Sequence, residues 1–233
     1  MLHNKLKKFI NQKNGNFLII GPPGTGKTYY LVETVKFLVE KKKIDPRKIL
    51  VLSFNRRWSK ILRDKTSQSI GRSIFEIPIT TFFSFCANFL EKTNLLLDFK
   101  PGQIRVMNAP EQWQLLTEVI TSLDKENYPL TNRYLNNNSF VASSYIQEVF
   151  DFILRAQENL ISPRELSDKF TPFFNTQLSE ITGIYIHYKQ ELISRNLYNY
   201  GRLLEDTVNI LKNNENIRQI FKKKYEFILI DEL

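Results

Sequence analysis

Cysteine, histidine and long apolar runs are scarce in this chain, and each shortage excludes a class of protein. Cys86 is the only cysteine, so we expect no disulfide partner, and a reducing compartment, the cytoplasm, is predicted. The two histidines are isolated, which argues against a histidine metal site or a nucleophile triad. The apolar run from Phe17 to Ile20 is too short for a signal-peptide core or a membrane span, so no membrane partner is expected.

Positive charge is in excess. The chain has 33 Lys and Arg against 24 Asp and Glu, a formal net charge of +9. This balance favours a polyanionic partner such as nucleic acid, but it does not identify one. The basic runs Lys41 to Lys43 and Lys222 to Lys224 are better explained as solvated helix ends, where lysine offsets the helix dipole. Nothing in the sequence indicates an oligomeric state.

A strand, a glycine-rich loop and a helix are predicted near the start of the chain. The apolar run Asn16 to Ile20 predicts a strand, and Tyr29 to Lys41 shows apolar residues at helical spacing. The sequence between them, GPPGTGKT, matches the phosphate-binding pattern G-x-x-x-x-G-K-[ST]. Its residues are Gly21, Pro22, Pro23, Gly24, Thr25, Gly26, Lys27 and Thr28.

This loop predicts a cradle for the phosphates of ATP together with Mg²⁺. Glycines allow backbone N–H groups to approach the β-phosphate, Lys27 can reach the β and γ oxygens, and the Thr28 hydroxyl can bind Mg²⁺. A chance glycine-rich turn is the alternative. The strand and helix patterns on either side of the loop favour the nucleotide site.

The acidic pair Asp231 and Glu232 follows the apolar run Phe227 to Ile230. In P-loop sites such an aspartate holds Mg²⁺, and the glutamate orients or deprotonates the attacking water. We therefore predict Lys27, Asp231 and Glu232 as catalytic residues, and Thr28 and Asp231 as metal ligands, with a plain acidic loop as the alternative. The long separation of Lys27 from Asp231 argues against a simple P-loop kinase or a minimal GTPase.

Strand and helix patterns alternate in the first third of the chain, and helices then dominate. Ile49 to Phe54 is a continuous apolar run typical of a buried parallel strand, Phe75 to Thr80 predicts a third strand, and Phe82 to Glu91 predicts a helix. A strand pattern returns only at Phe227 to Ile230. The later predicted helices are Pro110 to Leu123, Phe140 to Asn159, Gln177 to Ser194 and Arg202 to Leu211.

Four segments resemble the UvrD, PcrA and Rep family of superfamily 1 DNA helicases, in the same order and with similar spacing. ILVLSFNRRWSKILRDK and ITTFFSFCANFL resemble two DNA-contacting motifs of the family. RAQENLISPRELSDKF resembles its inserted helical subdomain, and YEFILIDEL its DExx motif. The resemblance covers essentially the whole chain and implies an ATP-binding protein whose partner is single-stranded or partly duplex DNA.

The same resemblance implies a set of DNA-contacting residues. Phe54 is expected to stack on a base of the single strand, and Arg56 and Arg57 to contact the sugar-phosphate backbone. The alternative for Phe54 is a buried aromatic at a strand end. The second motif contributes Thr80, Thr81, Phe82 and Phe83, and Phe83 stands where the family has a histidine.

Together these patterns predict an α/β fold, with a P-loop RecA-like parallel sheet that is incomplete at the C-terminus. The sheet is expected from residues 1–100 and 195–233, interrupted by an all-helical subdomain at 101–194. The resemblance implies that hydrolysis needs arginines from a second lobe, so we expect binding without helicase activity from this chain alone. Three alternatives stay open: a non-enzymatic nucleic-acid-binding remnant, a helicase of another superfamily 1 branch, and a different P-loop NTPase such as an AAA+ protein.

Overall fold

Two compact units make up the computed structural model, which describes residues 15–70, 75–96, 104–170 and 176–231. The first unit takes the described residues up to Phe85 and those from Asn214 onward, and the second takes those from Cys86 to Asn213. The predicted domain boundaries near residues 100 and 195 stay a prediction. No helix in the described ranges is long and apolar enough to cross a membrane.

A parallel three-stranded sheet lies at the centre of the first unit. Its strands are β1 (Ile49–Ser53), β2 (Ile79–Thr81) and β5 (Phe227–Ile230), in the order β2-β1-β5. β1 is the middle strand and pairs in parallel with both neighbours, and all five of its residues are buried. This arrangement confirms the mixed α/β class, and it places the carboxyl ends of all three strands at one edge of the sheet.

The described helices of the first unit are α1 (Lys27–Glu40), α2 (Arg56–Ile70), the start of α3 (Phe82–Leu96) and α10 (Glu215–Lys224). The first two pack aliphatic side chains against the sheet. Val35 and Leu38 of α1 and Leu62 of α2 are fully buried and belong to one apolar cluster with β1 and β2. A helix whose apolar residues recur every three or four positions can bury one such face and expose the rest.

The second unit is built mainly from helices. They are the remainder of α3, then α4 (Ala109–Ser122), α5 (Pro129–Leu135), α6 (Ser139–Glu158), α7 (Pro163–Phe170), α8 (Thr176–Ser194) and α9 (Tyr200–Asn213). Leu116, Val149, Ile184 and Tyr188 are each completely buried in its core. The segment predicted to be all-helical, residues 101–194, also contains one short strand, β3 (Arg105–Val106), which pairs in parallel with β4 (Leu197–Tyr198) just beyond that segment.

The strand predicted at Asn16 to Ile20 is wrong in this structure. Residues 15–22 have no regular secondary structure, and Leu18 and Ile20 are 66% and 85% exposed. A strand needs a neighbour to bond its backbone, and among the described residues the partners of β5 and β2 are both β1. In the described structure residues 16–20 join neither outer edge of this sheet, and an apolar composition alone does not make a strand.

Burial of β5 is also less than its sequence predicts. A continuous apolar run is typical of a strand covered on both faces, but Ile228 and Ile230 are 57% and 39% exposed. Their neighbours Phe227 and Leu229 pack against the apolar cluster of the sheet. Alternate side chains of β5 thus face the core, so the described part of the chain covers one face of this strand.

Candidate nucleotide site and nucleic-acid interface

The loop before α1 has the backbone that its glycines predict. Gly24 and Gly26 have φ angles of 83° and 84°, in the left-handed region that glycine adopts without strain. Gly26 immediately precedes α1, and no side chain caps the first turn of that helix. The N–H groups of this turn are therefore available to an anion, and the helix dipole favours a negative charge there.

The side chains of Lys27 and Thr25 donate hydrogen bonds to carbonyl oxygens at the start of the loop. The Nζ of Lys27 donates to the carbonyl oxygens of Gly21 and Pro22, at 2.6 and 3.0 Å. The Thr25 hydroxyl donates to the Pro22 carbonyl at 2.8 Å. A Cβ at Gly21 would lie 2.6 Å from the Thr25 hydroxyl oxygen. Glycine at position 21 therefore allows the Thr25 side chain to lie this close to the backbone. The ammonium group thus lies over the turn where the motif places phosphate oxygens.

The first turn of α1 is directed toward the carboxyl edge of the sheet. The helix packs against the sheet through Val35 and Leu38, and residues 41–48 join its end to the beginning of β1. Because the helix returns the chain to the amino end of β1, its own N-terminus lies at the opposite end of the strand direction. Lys27 and the partly buried Thr28 are in this first turn.

Asp231 lies at the same carboxyl edge. Its backbone N–H donates to the Leu52 carbonyl at 2.9 Å, and the residue is 5% exposed. Glu232 lies outside the described residues. No group of three or more His, Cys, Asp or Glu in the described part of the chain forms a metal site. Mg²⁺ in nucleotide sites binds one or two protein oxygens and the phosphates, a donor set that Thr28 and Asp231 fit.

Phe54 projects from the turn between β1 and α2, and the residue is 67% exposed. The alternative of a buried strand-end aromatic is therefore wrong. Two side chains shape this turn: the Asn55 carboxamide oxygen accepts from the Trp58 N–H at 3.0 Å, and the buried Ser53 hydroxyl donates to the Asn55 carbonyl at 3.2 Å. Arg56 is exposed in the first turn of α2.

The second predicted contact segment begins at the end of β2. Thr81 is 8% exposed, and its hydroxyl oxygen accepts from the Ser84 N–H at 3.1 Å, which caps α3. Phe82 is 38% exposed, while Thr80 and Phe83 are partly buried. The Thr81 hydroxyl therefore supports the helix, and Phe82 is more exposed than Phe83, the other aromatic residue of this predicted contact segment.

Ser84 belongs to the second predicted contact motif, whereas the sequence patterns do not single out Ser53 or Asn55. Each makes a hydrogen bond that fixes one of the two predicted contact segments. A local signal exists for two of these bonds, because Asn55 and Thr81 each stand three residues before the N–H that they bind, as helix N-caps do. The parallel sheet brings the two segments together, since Ser53 lies opposite Thr81 in the ladder.

These elements define a glycine loop at a helix N-terminus beside a parallel sheet, with an exposed aromatic and basic side chains at the same edge. Residues 2–233 match the family described as UvrD/REP helicase N-terminal domain, and the chain belongs to this family. Its similarity to DNA helicases is thus a property of the whole chain rather than of one motif.

Curated relatives with similar sequences are DNA helicases. A probable DNA helicase of Mycoplasma pneumoniae is 24% identical, over 99% of this chain and 41% of its own length. A probable DNA helicase II homolog of Mycoplasma capricolum is also 24% identical, over 92% of this chain and 28% of its own. The ATP-dependent DNA helicase PcrA of Bacillus subtilis is 19% identical, over 96% and 28%. The chain therefore spans less than half the length of these relatives.

Proposed function

We propose that this chain binds ATP with Mg²⁺ at the loop from Gly21 to Thr28 and contacts single-stranded DNA at the carboxyl edge of its sheet. It acts as the N-terminal portion of a UvrD/PcrA-like DNA helicase. The observation that most strongly supports the nucleotide site is the pair of left-handed glycines, Gly24 and Gly26, which open onto the uncapped N-terminus of α1. This is the arrangement that phosphate oxygens bind through backbone N–H groups.

Specific roles follow for the nucleotide-site residues. Lys27 would leave the Gly21 and Pro22 carbonyls and pair with the β and γ phosphates. Thr28 and Asp231 would supply oxygen ligands to Mg²⁺, which lowers the repulsion between phosphate charges. Glu232 would orient the attacking water, as the acidic pair predicts. The relative PcrA of Bacillus subtilis is an ATP-dependent DNA helicase, which supports ATP as the nucleotide.

The DNA-binding part of the proposal rests on exposure and charge. Phe54 presents an open ring next to the exposed Arg56 and Arg57. Phe82 adds a second partly exposed ring after β2. Aromatic faces that stack on bases, together with cations that meet phosphates, are what sequence-tolerant single-strand binding requires. The net charge of +9 brings polyanions to the protein at an increased rate.

Equilibrium binding of a fluorescent ATP analogue, with and without Mg²⁺, tests the nucleotide site. Lys27→Ala should weaken binding by about 100-fold, or about 3 kcal/mol, because two charge-assisted contacts to phosphate are lost. Lys41→Ala is the matched control, since Lys41 is exposed beyond the end of α1. Equal affinity in the Lys27→Ala and Lys41→Ala chains, with unchanged circular dichroism, would contradict the assignment.

A further inference from the structure

Arg63 lies two helical turns beyond Arg56 on α2 and bonds to the neighbouring strand. Its guanidinium Nη2 donates to the carbonyl oxygen of Ile79 in β2 at 2.8 Å, and the bond is partly buried. Arg63 follows the fully buried Leu62, which packs in the same apolar cluster as Ile79. The helix that begins beside Phe54 is therefore tied, by one polar and one apolar contact, to the strand that leads to Phe82.

The Ile79 carbonyl faces the outer edge of the described sheet. The N–H of Val51 in β1 donates to the Pro78 carbonyl at 2.9 Å, so the Pro78 carbonyl points toward β1. Successive carbonyls of an extended strand point to opposite sides, and the Ile79 carbonyl consequently points away from β1. Arg63 thus satisfies a backbone acceptor that the ladder with β1 does not reach.

β2 is the shortest strand of the three-stranded sheet and depends most on such a second attachment. It has only three residues, and β1 is its single partner strand among the described residues. Short strands at a sheet edge open locally at low free-energy cost. Apolar packing of Leu62 is non-directional and permits sliding, whereas a guanidinium hydrogen bond fixes the position of β2 along α2.

We propose that Arg63 is a positioning residue for single-strand binding. It fixes the offset between the two contact segments, Phe54 to Arg57 on one side and Thr80 to Phe83 on the other, without touching the DNA itself. This inference rests on the proposed DNA-binding function. It predicts that Phe54 and Phe82 act on one strand of DNA as a coupled pair, and that the coupling depends on Arg63.

Fluorescence anisotropy of a labelled oligothymidine, with the full chain and a series of salt concentrations, tests the proposal. Arg63→Met should weaken binding about threefold to tenfold, the range expected when residues share a network. The slope of log affinity against log salt should stay unchanged, because no phosphate contact is lost. Arg63→Lys, which keeps a donor and the charge, should restore most of the affinity.

Two comparisons separate positioning from other roles. Lys60→Met removes one positive charge from an exposed residue of the same helix and should cost little affinity. A cycle of Phe54→Ala and Phe82→Ala should show non-additive losses in the unmodified chain and additive losses when Arg63→Met is also present. If the Arg63→Met chain does not fold, Arg63→Gln replaces it. The salt slope and the double-mutant cycle are then measured with that variant and test the inference in the same way.

Three results would overturn the inference: a salt slope reduced by about 0.7, which marks a direct phosphate contact; a loss from Lys60→Met equal to that from Arg63→Met; or coupling of Phe54 with Phe82 that survives Arg63→Met. If the unmodified chain does not bind the oligonucleotide at all, the proposed function fails, and this inference fails with it. If the chain binds DNA but Arg63→Met leaves the affinity unchanged, only this inference fails and the proposed function stands.

Discussion

The backbone N–H of Asp231 is bonded to the carbonyl of Leu52, one position beyond the Leu52 to Ile230 pair of the parallel ladder. β5 is therefore fixed against β1 up to the residue that carries the carboxylate. Because this bond is made by the backbone, it holds Asp231 at the carboxyl edge of the sheet independently of the side chain. A change confined to the carboxylate thus tests its chemistry without moving the strand.

Asp231→Asn should reduce the gain in nucleotide affinity that Mg²⁺ provides, because a neutral amide is a weaker Mg²⁺ ligand than a carboxylate. We expect the ratio of affinities with and without Mg²⁺ to fall about tenfold, or about 1.4 kcal/mol. Titration of a fluorescent ATP analogue with Mg²⁺ or with a chelator measures this ratio. An unchanged ratio would show that Asp231 does not meet the metal.

Phe54→Ala should weaken single-stranded DNA binding by about 1 to 3 kcal/mol at any base sequence, since base stacking is sequence-tolerant. The salt slope should not change, because the ring carries no charge. Phe140→Ala is the matched control, since Phe140 is also a highly exposed phenylalanine, 81% against 67%, but lies in the second unit. Equal losses from the two substitutions would indicate a nonspecific aromatic effect.

Long amphipathic helices and the central strand could be predicted from the sequence. The predicted helix Phe140 to Asn159 is α6, Ser139–Glu158, and the predicted strand Ile49 to Phe54 is β1, Ile49–Ser53. The helix is predicted by local periodicity and the strand by a continuous apolar run. The glycine loop was also predictable, because its pattern fixes where left-handed backbone is needed.

Features that depend on distant partners could not be predicted. Asn16 to Ile20 is as apolar as a strand, but whether a strand forms depends on a neighbour that local sequence does not reveal. Helix α2 was missed because its sequence is polar, and among its residues 56–68, whose burial is described, Leu62 is the one fully buried aliphatic side chain. The bond from Arg63 to Ile79 likewise joins residues 16 positions apart through the fold, and neither residue type signals it.

Glu180→Gln should destabilise the helical unit by about 1 to 3 kcal/mol. The buried carboxylate of Glu180 accepts from the N–H groups of Leu130 and Thr131, at 2.9 and 2.8 Å, and from the Thr131 hydroxyl at 2.7 Å. It thereby caps α5 from another helix, since no local side chain does so. In the Glu180→Gln chain, an NH₂ group replaces one of the two carboxylate oxygens. This group is a donor, so it cannot accept the hydrogen bonds that the replaced oxygen accepts.

Thermal or urea unfolding, followed by circular dichroism, measures this loss. Glu126→Gln is the control, because Glu126 is exposed and the substitution makes the same change in charge. A Glu180→Gln chain as stable as the Glu126→Gln chain would show that the three hydrogen bonds contribute no net stability.

High pH should unfold the helical unit through its buried tyrosines. Burial raises the pKa of Tyr188 to about 12 and raises the pKa of Tyr185 further, whereas a tyrosine in the unfolded chain titrates near pH 10. Below pH 10 both states hold these protons, so the stabilisation is complete. Above pH 10 only the unfolded state releases them readily, and stability therefore falls as the pH rises from 10 through 12.

Tyr188→Phe should make this fall shallower, because one of the linked protons is gone. Tyr29→Phe is the control and should leave the fall unchanged, because Tyr29 is already 61% exposed in the folded chain. Urea unfolding at several pH values, read by circular dichroism, gives the slope of stability against pH for each chain. Equal slopes for the Tyr188→Phe and unmodified chains would mean that Tyr188 is not protected from solvent by the fold.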